Sequence, residues 1–384
     1  MPRIDINDKY SCCGCGACEA ICPTKAISID IDEEGFLYPS FDDARCLNCG
    51  KCLKTCAFRA DKIAPYPRRD GDGVSCYAVQ HSDDTVRAAS RSGGIFTALS
   101  DRVLAMGGVV YGCAMDGVLR ARHVRADSVE GRDAMRGSKY IESDMRGVFP
   151  LVEADLNTGI EVLFSGTSCQ VAGLLSYLGK PYENLLRVDI VCHGVPSPKV
   201  WADYVRWIER ENNGRCTAVD FRDKGRFGWR AHTETLYLND GSKVVSGETY
   251  RRIFYGHRAL RRSCYECPYK SVEHPSDLTI GDYWGVEDAA PEFDDNRGVS
   301  LVLVNTARGR EAFEYCKPVL RWKATEIEKS LQLPLKAPFD EPSDRGLFWK
   351  RYDSWDFSRI AKSYGTLTFR ARLRKKLKRA FHLV

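Results

Sequence analysis

The sequence predicts a small α+β module followed by an α/β domain with a mixed sheet. Three observations predict this. Two cysteine runs of the same spacing fill the first 60 residues, strand and helix patterns alternate from about residue 76, and a hairpin signal interrupts the alternation near residue 240. At 384 residues the chain is expected to form two or three domains. Its 43% hydrophobic and 28% charged residues are an ordinary globular composition with ample material for a core. No apolar run approaches the roughly 18 residues of a membrane span, and "MPRIDINDKY" has neither a charged n-region nor an apolar h-region, so the expected compartment is the cytoplasm. Thiols stay reduced there, so 17 cysteines point to metal or cluster ligation rather than disulfides.

The first element, residues 1–62, is defined by its cysteines. Cys12, Cys15, Cys18 and Cys22, followed by Pro23, spell C-x2-C-x2-C-x3-C-P; Cys46, Cys49, Cys52 and Cys56 repeat the spacing without the proline. This duplication is the signature of a bacterial two-cluster 4Fe-4S ferredoxin, in which the fourth cysteine of each run crosses to the other cluster. Cys12, Cys15, Cys18 and Cys56 are expected to hold one cluster, and Cys46, Cys49, Cys52 and Cys22 the other. Gly14, Gly16 and Gly50 relieve backbone crowding around the sulfurs. A pair of zinc sites is the competing reading, but zinc motifs lack the three-plus-one repeat. Cys13 falls outside the spacing and reads as a spectator, and Ala57 stands where the first run has proline.

Residues 63–75, rich in proline, glycine and charge, read as a linker. Residues 76–155 and 156–325 then read as two parts of one α/β domain. "CYAVQ" and "VVYGCAM" are expected strands around the helix "GGIFTALSDRVLAMGG"; "EVLFSG", "VAGLLSYLG", "LLRVDIVCHG" and "PKVWADYVRWIERENN" continue strand, helix, strand, helix. The hairpin is expected at Asn239-Asp240-Gly241, which is what makes the predicted sheet mixed. No G-x-G-x-x-G follows a strand, so no nicotinamide site of that kind is visible. Cys169 and Cys192 fall at the carboxyl ends of predicted strands, where ligands of open α/β sheets collect. With Cys264 and Cys267 of "CYECPYK" they would supply four thiolates to a third cluster. Equally, the first two are small core residues and the C-x-x-C is a separate zinc or redox pair.

From "SRSGGIFTALS" through "MRGSKYIESD", "FSGTSCQVAGL", "DIVCHGVPSPK", "FRDKGRFGWR", "CYECPYK" and "SDLTIGDYWG", roughly residues 75–305, the chain resembles the beta subunit of coenzyme F420 hydrogenases and dehydrogenases. The resemblance implies an α/β flavoprotein that binds FAD beside a 4Fe-4S cluster, with cluster cysteines matching Cys169, Cys192, Cys264 and Cys267. It places the flavin site in 76–155 and the third cluster with the substrate side in 156–325. It also offers Ser92, Gly93 and Gly94 with Thr97, Ser138, Lys139 and Tyr140, and Thr167 and Gln170 as the flavin site. Ser168 stands where many relatives have proline, which puts the local turn in doubt. The residue chemistry agrees with these roles: glycines let a helix N-terminus approach a pyrophosphate, and Lys139 can offset phosphate charge or stabilise a reduced, anionic flavin. Lys139 and His193, beside Cys192, are the candidate catalytic residues, although a solvated lysine and a structural histidine are the plainer readings. Arg222, Lys224, Arg226 and Arg230 with Phe227 and Trp229 are expected to hold an anionic substrate against an aromatic face.

The C-terminal extension, 326–384, ends in "TLTFRARLRKKLKRAFHLV". Phe369, Leu373, Leu377 and Phe381 recur every fourth residue among arginines and lysines, the pattern of a basic amphipathic helix suited to a membrane surface or an acidic partner. It accounts for the net charge of +5 and would allow a peripheral position at the inner face of the membrane. Nucleic acid is not an expected partner, because no base-stacking motif accompanies the charge. The expected function is therefore an iron-sulfur flavoprotein oxidoreductase. It would carry electrons from ferredoxin, or another low-potential carrier, through three 4Fe-4S clusters to FAD and on to a substrate. Two alternatives are oxidation or reduction of coenzyme F420 and a non-catalytic electron-transfer subunit of a larger complex.

Overall fold

Residues 8–59, 73–245 and 248–366 are described by the computed structural model. Most of the expected linker and nearly all of the basic tail lie outside them. The N-terminal module is built on one hairpin, β1 (Ile27–Ile31) and β2 (Leu37–Phe41), with a short helix inside each cysteine run, Ala17–Ala20 and Lys51–Thr55.

The large sheet has nine strands: β3 (Ser75–His81), β4 (Val109–Asp116), β5 (Arg120–Ala126), β6 (Ser143–Asp144), β7 (Val162–Thr167), β8 (Leu185–Ile190), β12 (Leu278–Asp282), β13 (Ser300–Val304) and β14 (Leu320–Thr325). Their order is β14-β3-β13-β12-β8-β7-β4-β5-β6. The central run β4-β7-β8-β12 is parallel, while β5 on one side and β13, β3 and β14 on the other pair antiparallel. β7 and β13 are apolar and buried almost throughout, as strands covered on both faces must be. The expected division at residue 155/156 runs through this one sheet.

The predicted hairpin forms, with Gly241 in the left-handed region at φ 83° and its N–H bonded to the Leu238 carbonyl at 3.0 Å. It joins β10 (Thr235–Leu238) to β11 (Lys243–Val245) in a separate three-stranded sheet with β9 (Cys216–Asp220). It is therefore not the source of the mixed character of the main sheet. Helix Ser168–Leu178 opens on a capping box, Thr167 with Gln170, and closes at Gly179 in the left-handed conformation. Ser168 leaves that turn intact, its Oγ lying 3.0 Å from His274 Nδ1.

The module is fastened to the large domain at its hairpin turn. Gly35, at φ 87°, leaves no room for a Cβ, which would fall 2.4 Å from Lys199 Cβ. Lys199 Nζ donates to the Glu33 carbonyl at 2.9 Å, and Ser197 Oγ donates to that of Glu34. The Glu34 carboxylate is buried and paired with Arg345, whose Nη2 also donates to the Leu260 carbonyl at 3.1 Å. Arg262 Nη2 also reaches the Glu34 carboxylate at 3.2 Å, so two arginines hold this buried charge. Arg345 begins helix Arg345–Ser354, so the extension from residue 326 folds back onto both domains as far as it is described. Among the described residues, no helix is long and apolar enough to cross a membrane.

Candidate functional site

The cysteines of the module fall into two groups. The Cys18 thiol is pushed up by burial and by the neighbouring sulfurs of Cys15, Cys12 and Cys56, so these four stand together. Cys22, Cys46, Cys49 and Cys52 line a separate small hollow, and Cys49 is exposed. The fourth cysteine of each run thus lies with the other run's first three. The first group faces the large domain: a Cβ on Gly173 of helix Ser168–Leu178 would fall 2.8 Å from both Cβ and Sγ of Cys15.

Four residues before Gly173, on the same helix face, stands Cys169. Cys192 follows β8, Cys264 ends a one-turn 3-10 helix, Arg262–Cys264, and Cys267 lies in the loop after it. Burial pushes the Cys264 thiol up to about 12, helped by the sulfurs of Cys192 and Cys169, and the Cys192 thiol up to about 11. Cys267 is raised by burial and by all three of the others. The C-x-x-C is therefore not an isolated pair. Cys192, Cys264 and Cys267, whose thiols burial keeps protonated, crowd with Cys169 into a set of four that suits a multi-iron cation, which supplies the charge that thiolates need. Among the described residues, no group of three or more His, Cys, Asp or Glu could hold a single metal ion. Cys13 is no bystander: its thiol bonds to both Cys15 and Cys169, lowering Cys169 to about 7 and bridging the two groups. Ala57 is buried here too, its carbonyl accepting from Tyr269 Oη at 2.7 Å.

Cys169 and Cys192 form part of the wall of a cavity of about 700 Å³ at the carboxyl ends of β7, β8 and β12, within the size range of cofactor sites. Ser92, Gly94, Thr97, Ser138, Lys139, Tyr140, Thr167, Gln170 and His193 line it as well. Gly93 does not. Its N–H donates to Ser300 Oγ at 2.9 Å, and a Cβ there would fall 2.0 Å from the Val79 carbonyl oxygen, so strand contact demands the glycine. Two wall residues are already engaged: Gln170 Oε1 caps Thr167 N–H at 2.9 Å, and Ser92 Oγ bonds the Val299 carbonyl.

One end of the cavity suits phosphate. Helix Ile95–Ala105 starts at Gly94 with no side-chain cap, and in its first turn Thr97 Oγ1 is buried without a hydrogen-bond partner. Arg136 Nε, on the same cavity wall, is likewise buried and unpartnered. Unsatisfied donors beside an uncapped helix N-terminus are what a bound pyrophosphate would satisfy. Lys139 Nζ donates to the Ala134 and Arg136 carbonyls at 3.1 and 2.8 Å, leaving one N–H for the cavity; burial lowers its pKa to about 8. The ammonium therefore keeps its proton at neutral pH.

The other end is aromatic. His193 is packed against Phe254, Tyr255, His257 and Phe339, with its Nε2 2.8 Å from His257 Nε2. Burial pulls its pKa to about 3, so it is neutral. His232 and Trp284 complete this wall, and His232 Nδ1 meets Tyr255 Oη at 2.8 Å. Of the expected anion-binding segment, only Arg222 reaches the cavity. Its guanidinium is engaged by Asp282 at 2.7 Å and by the Trp229 carbonyl. Lys224 is turned onto the Arg87 carbonyl, Arg230 onto Glu287 and Asp294, and Trp229 is buried against Trp284. Burial would push Asp282 up, but Arg222 and Arg91 hold it below the usual carboxylate range. Arg91, Arg136 and Trp284 lie in the quoted stretches but are not singled out there, and His232 and Tyr255 lie in none; only the assembled wall brings the five together.

Three thiol groups leading to a cofactor-sized cavity define an iron-sulfur electron-transfer protein of the oxidoreductase class. Residues 160–330 match the family model for the C terminus of the coenzyme F420 hydrogenase/dehydrogenase beta subunit, and residues 11–60 match that of the 4Fe-4S dicluster domain. Residues 160–330 are thus similar to the C-terminal part of those beta subunits, and a dicluster domain lies on their N-terminal side. Over 48 residues it is 44% identical to a component of the Na(+)-translocating ferredoxin:NAD(+) oxidoreductase complex of Acetobacterium woodii. That stretch is 12% of this chain and 13% of the length of that curated relative. A chain in a structure of the F420-reducing NiFe hydrogenase complex from Methanosarcina barkeri is similar with a TM-score of 0.46 and 19% identity, covering 66% of this chain and 82% of that one.

Proposed function

We propose that the protein is an iron-sulfur flavoprotein oxidoreductase. Electrons from ferredoxin, or a similar low-potential carrier, would enter at the cluster held by Cys22, Cys46, Cys49 and Cys52. They would pass to the cluster held by Cys12, Cys15, Cys18 and Cys56, then to a third held by Cys169, Cys192, Cys264 and Cys267, and so to FAD in the cavity. The supporting observation is the continuity of thiols: exposed Cys49 at one end, Cys15 against Gly173 in the middle, and Cys169 and Cys192 in the cavity wall at the other. FAD, when bound, supplies the conversion of single electrons into a transferable pair.

The residues suit that cofactor. Gly94, Thr97, Ser138 and Arg136 would hold the pyrophosphate end, with Thr167, Gln170 and Tyr140 along the wall. Lys139, protonated at neutral pH, would sit beside phosphate or the anionic reduced ring. His193 and His257 share one hydrogen bond between two neutral rings, an arrangement able to hand on a proton by exchanging tautomers. Trp284, His232 and Tyr255 would form the substrate end.

Coenzyme F420, as donor in its reduced form or as acceptor in its oxidised form, is the second reading, favoured by the matched family's name and by cationic Arg91 and Arg222 in the wall. Anaerobic purification followed by flavin extraction and stopped-flow reduction separates the readings. Bound FAD bleached by reduced ferredoxin supports the first, and bleaching by reduced F420 alone supports the second. Flavin reduced by ferredoxin with no small-molecule substrate turned over would make the chain an electron-transfer subunit. Protein that neither retains nor takes up FAD would refute the flavoprotein reading.

A further inference from the structure

Arg261 is 1% exposed and stands between two thiol groups. Its backbone belongs to the C-x-x-C loop: its N–H donates to the Val195 carbonyl, and its own carbonyl accepts from Cys264 N–H, both at 2.9 Å. Its side chain reaches into the N-terminal module. Nε donates to the Cys12 carbonyl at 2.8 Å, Nη2 to the Leu37 carbonyl at 2.9 Å and to Cys12 Sγ at 3.5 Å. Nη1 is paired with buried Glu142, whose second oxygen accepts from Leu37 N–H at 2.9 Å. The guanidinium lies 3.9 Å from the centre of the Tyr38 ring. Gly14 makes the approach possible, since a Cβ there would fall 2.9 Å from Arg261 Nη1 and from Glu142 Oε1.

We propose that Arg261 is a potential-setting and positioning residue for the inner cluster, the one assigned above to Cys12, Cys15, Cys18 and Cys56. A cluster gains one negative charge when it is reduced. A fixed cation bonded to one of its sulfurs, in a site from which water is excluded, stabilises the reduced form more than the oxidised form and raises the potential. Glu142 keeps the guanidinium from being an uncompensated buried charge. It holds the Nη1 side, while Nη2 faces the sulfur, so the cationic edge is the one presented to the cluster. Because the arginine is rooted in the large domain and its target in the module, the inner cluster takes its working potential only when the module is seated. An undocked module would hold a weaker electron acceptor, which keeps electrons from collecting where they cannot go on to the third thiol group.

The inference rests on the cluster assignment proposed above, and the test separates the two. Full-length protein, purified anaerobically, is titrated potentiometrically with EPR detection as wild type, as Arg261→Lys and as Arg261→Met combined with Glu142→Met, which leaves no buried charge behind. Iron content should be unchanged in all three. The inner-cluster signal should move to lower potential in the double variant and by a smaller amount in Arg261→Lys, which keeps the charge and loses the forked contact, while the outer cluster stays put. Should the double variant fail to fill its inner cluster, Arg261→Lys decides: a lowered inner potential supports the proposal and an unmoved one overturns it. Unmoved potential in a fully loaded double variant, equal shifts of both N-terminal clusters, or iron loss in Arg261→Lys would each overturn it as well. A wild-type module without two 4Fe-4S signals would bring down the cluster assignment along with it.

Discussion

Gly173→Ala tests the junction between the module and the large domain with a single methyl group. A Cβ built at this position lies 2.8 Å from both Cβ and Sγ of Cys15, whereas comfortable carbon contacts need about 3.5–4.0 Å. The two surfaces must therefore separate by about 0.7–1.2 Å, or the cysteine turn must deform. Overpacking of this kind costs about 1–3 kcal/mol. Alanine in a helix interior returns up to about 1 kcal/mol relative to glycine, and Gly173 lies inside helix Ser168–Leu178. The net destabilisation is about 0–3 kcal/mol, and melting should fall by no more than about 10 °C, because each kcal/mol is worth about 2–4 °C or less in a chain of this size. Electron transfer should suffer more, since tunnelling falls off steeply with distance and Cys13, Cys15 and Cys169 meet at this junction. In anaerobic stopped flow with reduced ferredoxin, cluster bleaching should keep its wild-type rate while flavin bleaching slows. A flavin phase at the wild-type rate in a variant with full iron content would refute the argument that electrons cross here.

Three further outcomes are expected. Wild-type protein should hold about 12 irons, three clusters of four, and Cys264→Ser about four fewer with the N-terminal pair retained; zinc in place of the missing iron, by metal analysis, would argue against the third cluster. Lys139 loses its charge as pH rises through about 8, so FAD affinity of the apoprotein, followed by fluorescence, should weaken across that pH in wild type and be weaker and flatter in Lys139→Ala. The sign for stability is the reverse: the folded pKa lies below the ordinary lysine value of 10.5, so the penalty of burying the ammonium is full below pH 8 and fades between there and about 10.5. Removing 367–384, whose sequence sets an i, i+4 apolar stripe among basic residues, should weaken sedimentation with anionic vesicles at low salt and leave iron and flavin content unchanged.

The parts of the site legible in the sequence are those with short-range chemical causes. Cluster spacing is set by how three thiolates from one turn meet a cube, and a helix N-terminus is set by a glycine and the turn before it. Both survive in a string of letters. Gly241 announced its hairpin for the same reason, but a turn signal says nothing of which sheet the strands will join, and β10 joined β9 rather than the main sheet. Cys13 fails the spacing rule and reads as a bystander because its second partner, Cys169, is far along the chain. The basic run around Arg222 reads as an anion site because charges are counted without their counter-ions; Asp282, Asp294 and Glu287 lie more than fifty residues away.

Illegibility of this kind has a pattern. The bonds that join the module to the large domain span 311 residues for Glu34 with Arg345 and 249 for Cys12 with Arg261, and the pair that braces Arg261, with Glu142, spans 119. No periodicity or spacing can encode such pairs, yet Glu34, Glu142, Arg261 and Arg345 are buried charges that need their partners. In this chain, ligands are written locally and their wiring is written at long range. The cysteine runs can be found from their own spacing, but the proposed electron path depends on Gly14, Gly173, Arg261 and Cys13, which only the folded chain brings to the seam. Substitutions there should therefore leave cofactor content intact and change rates or potentials, whereas substitutions in the cysteine runs should remove iron. That contrast separates wiring from ligation in any further survey of the seam.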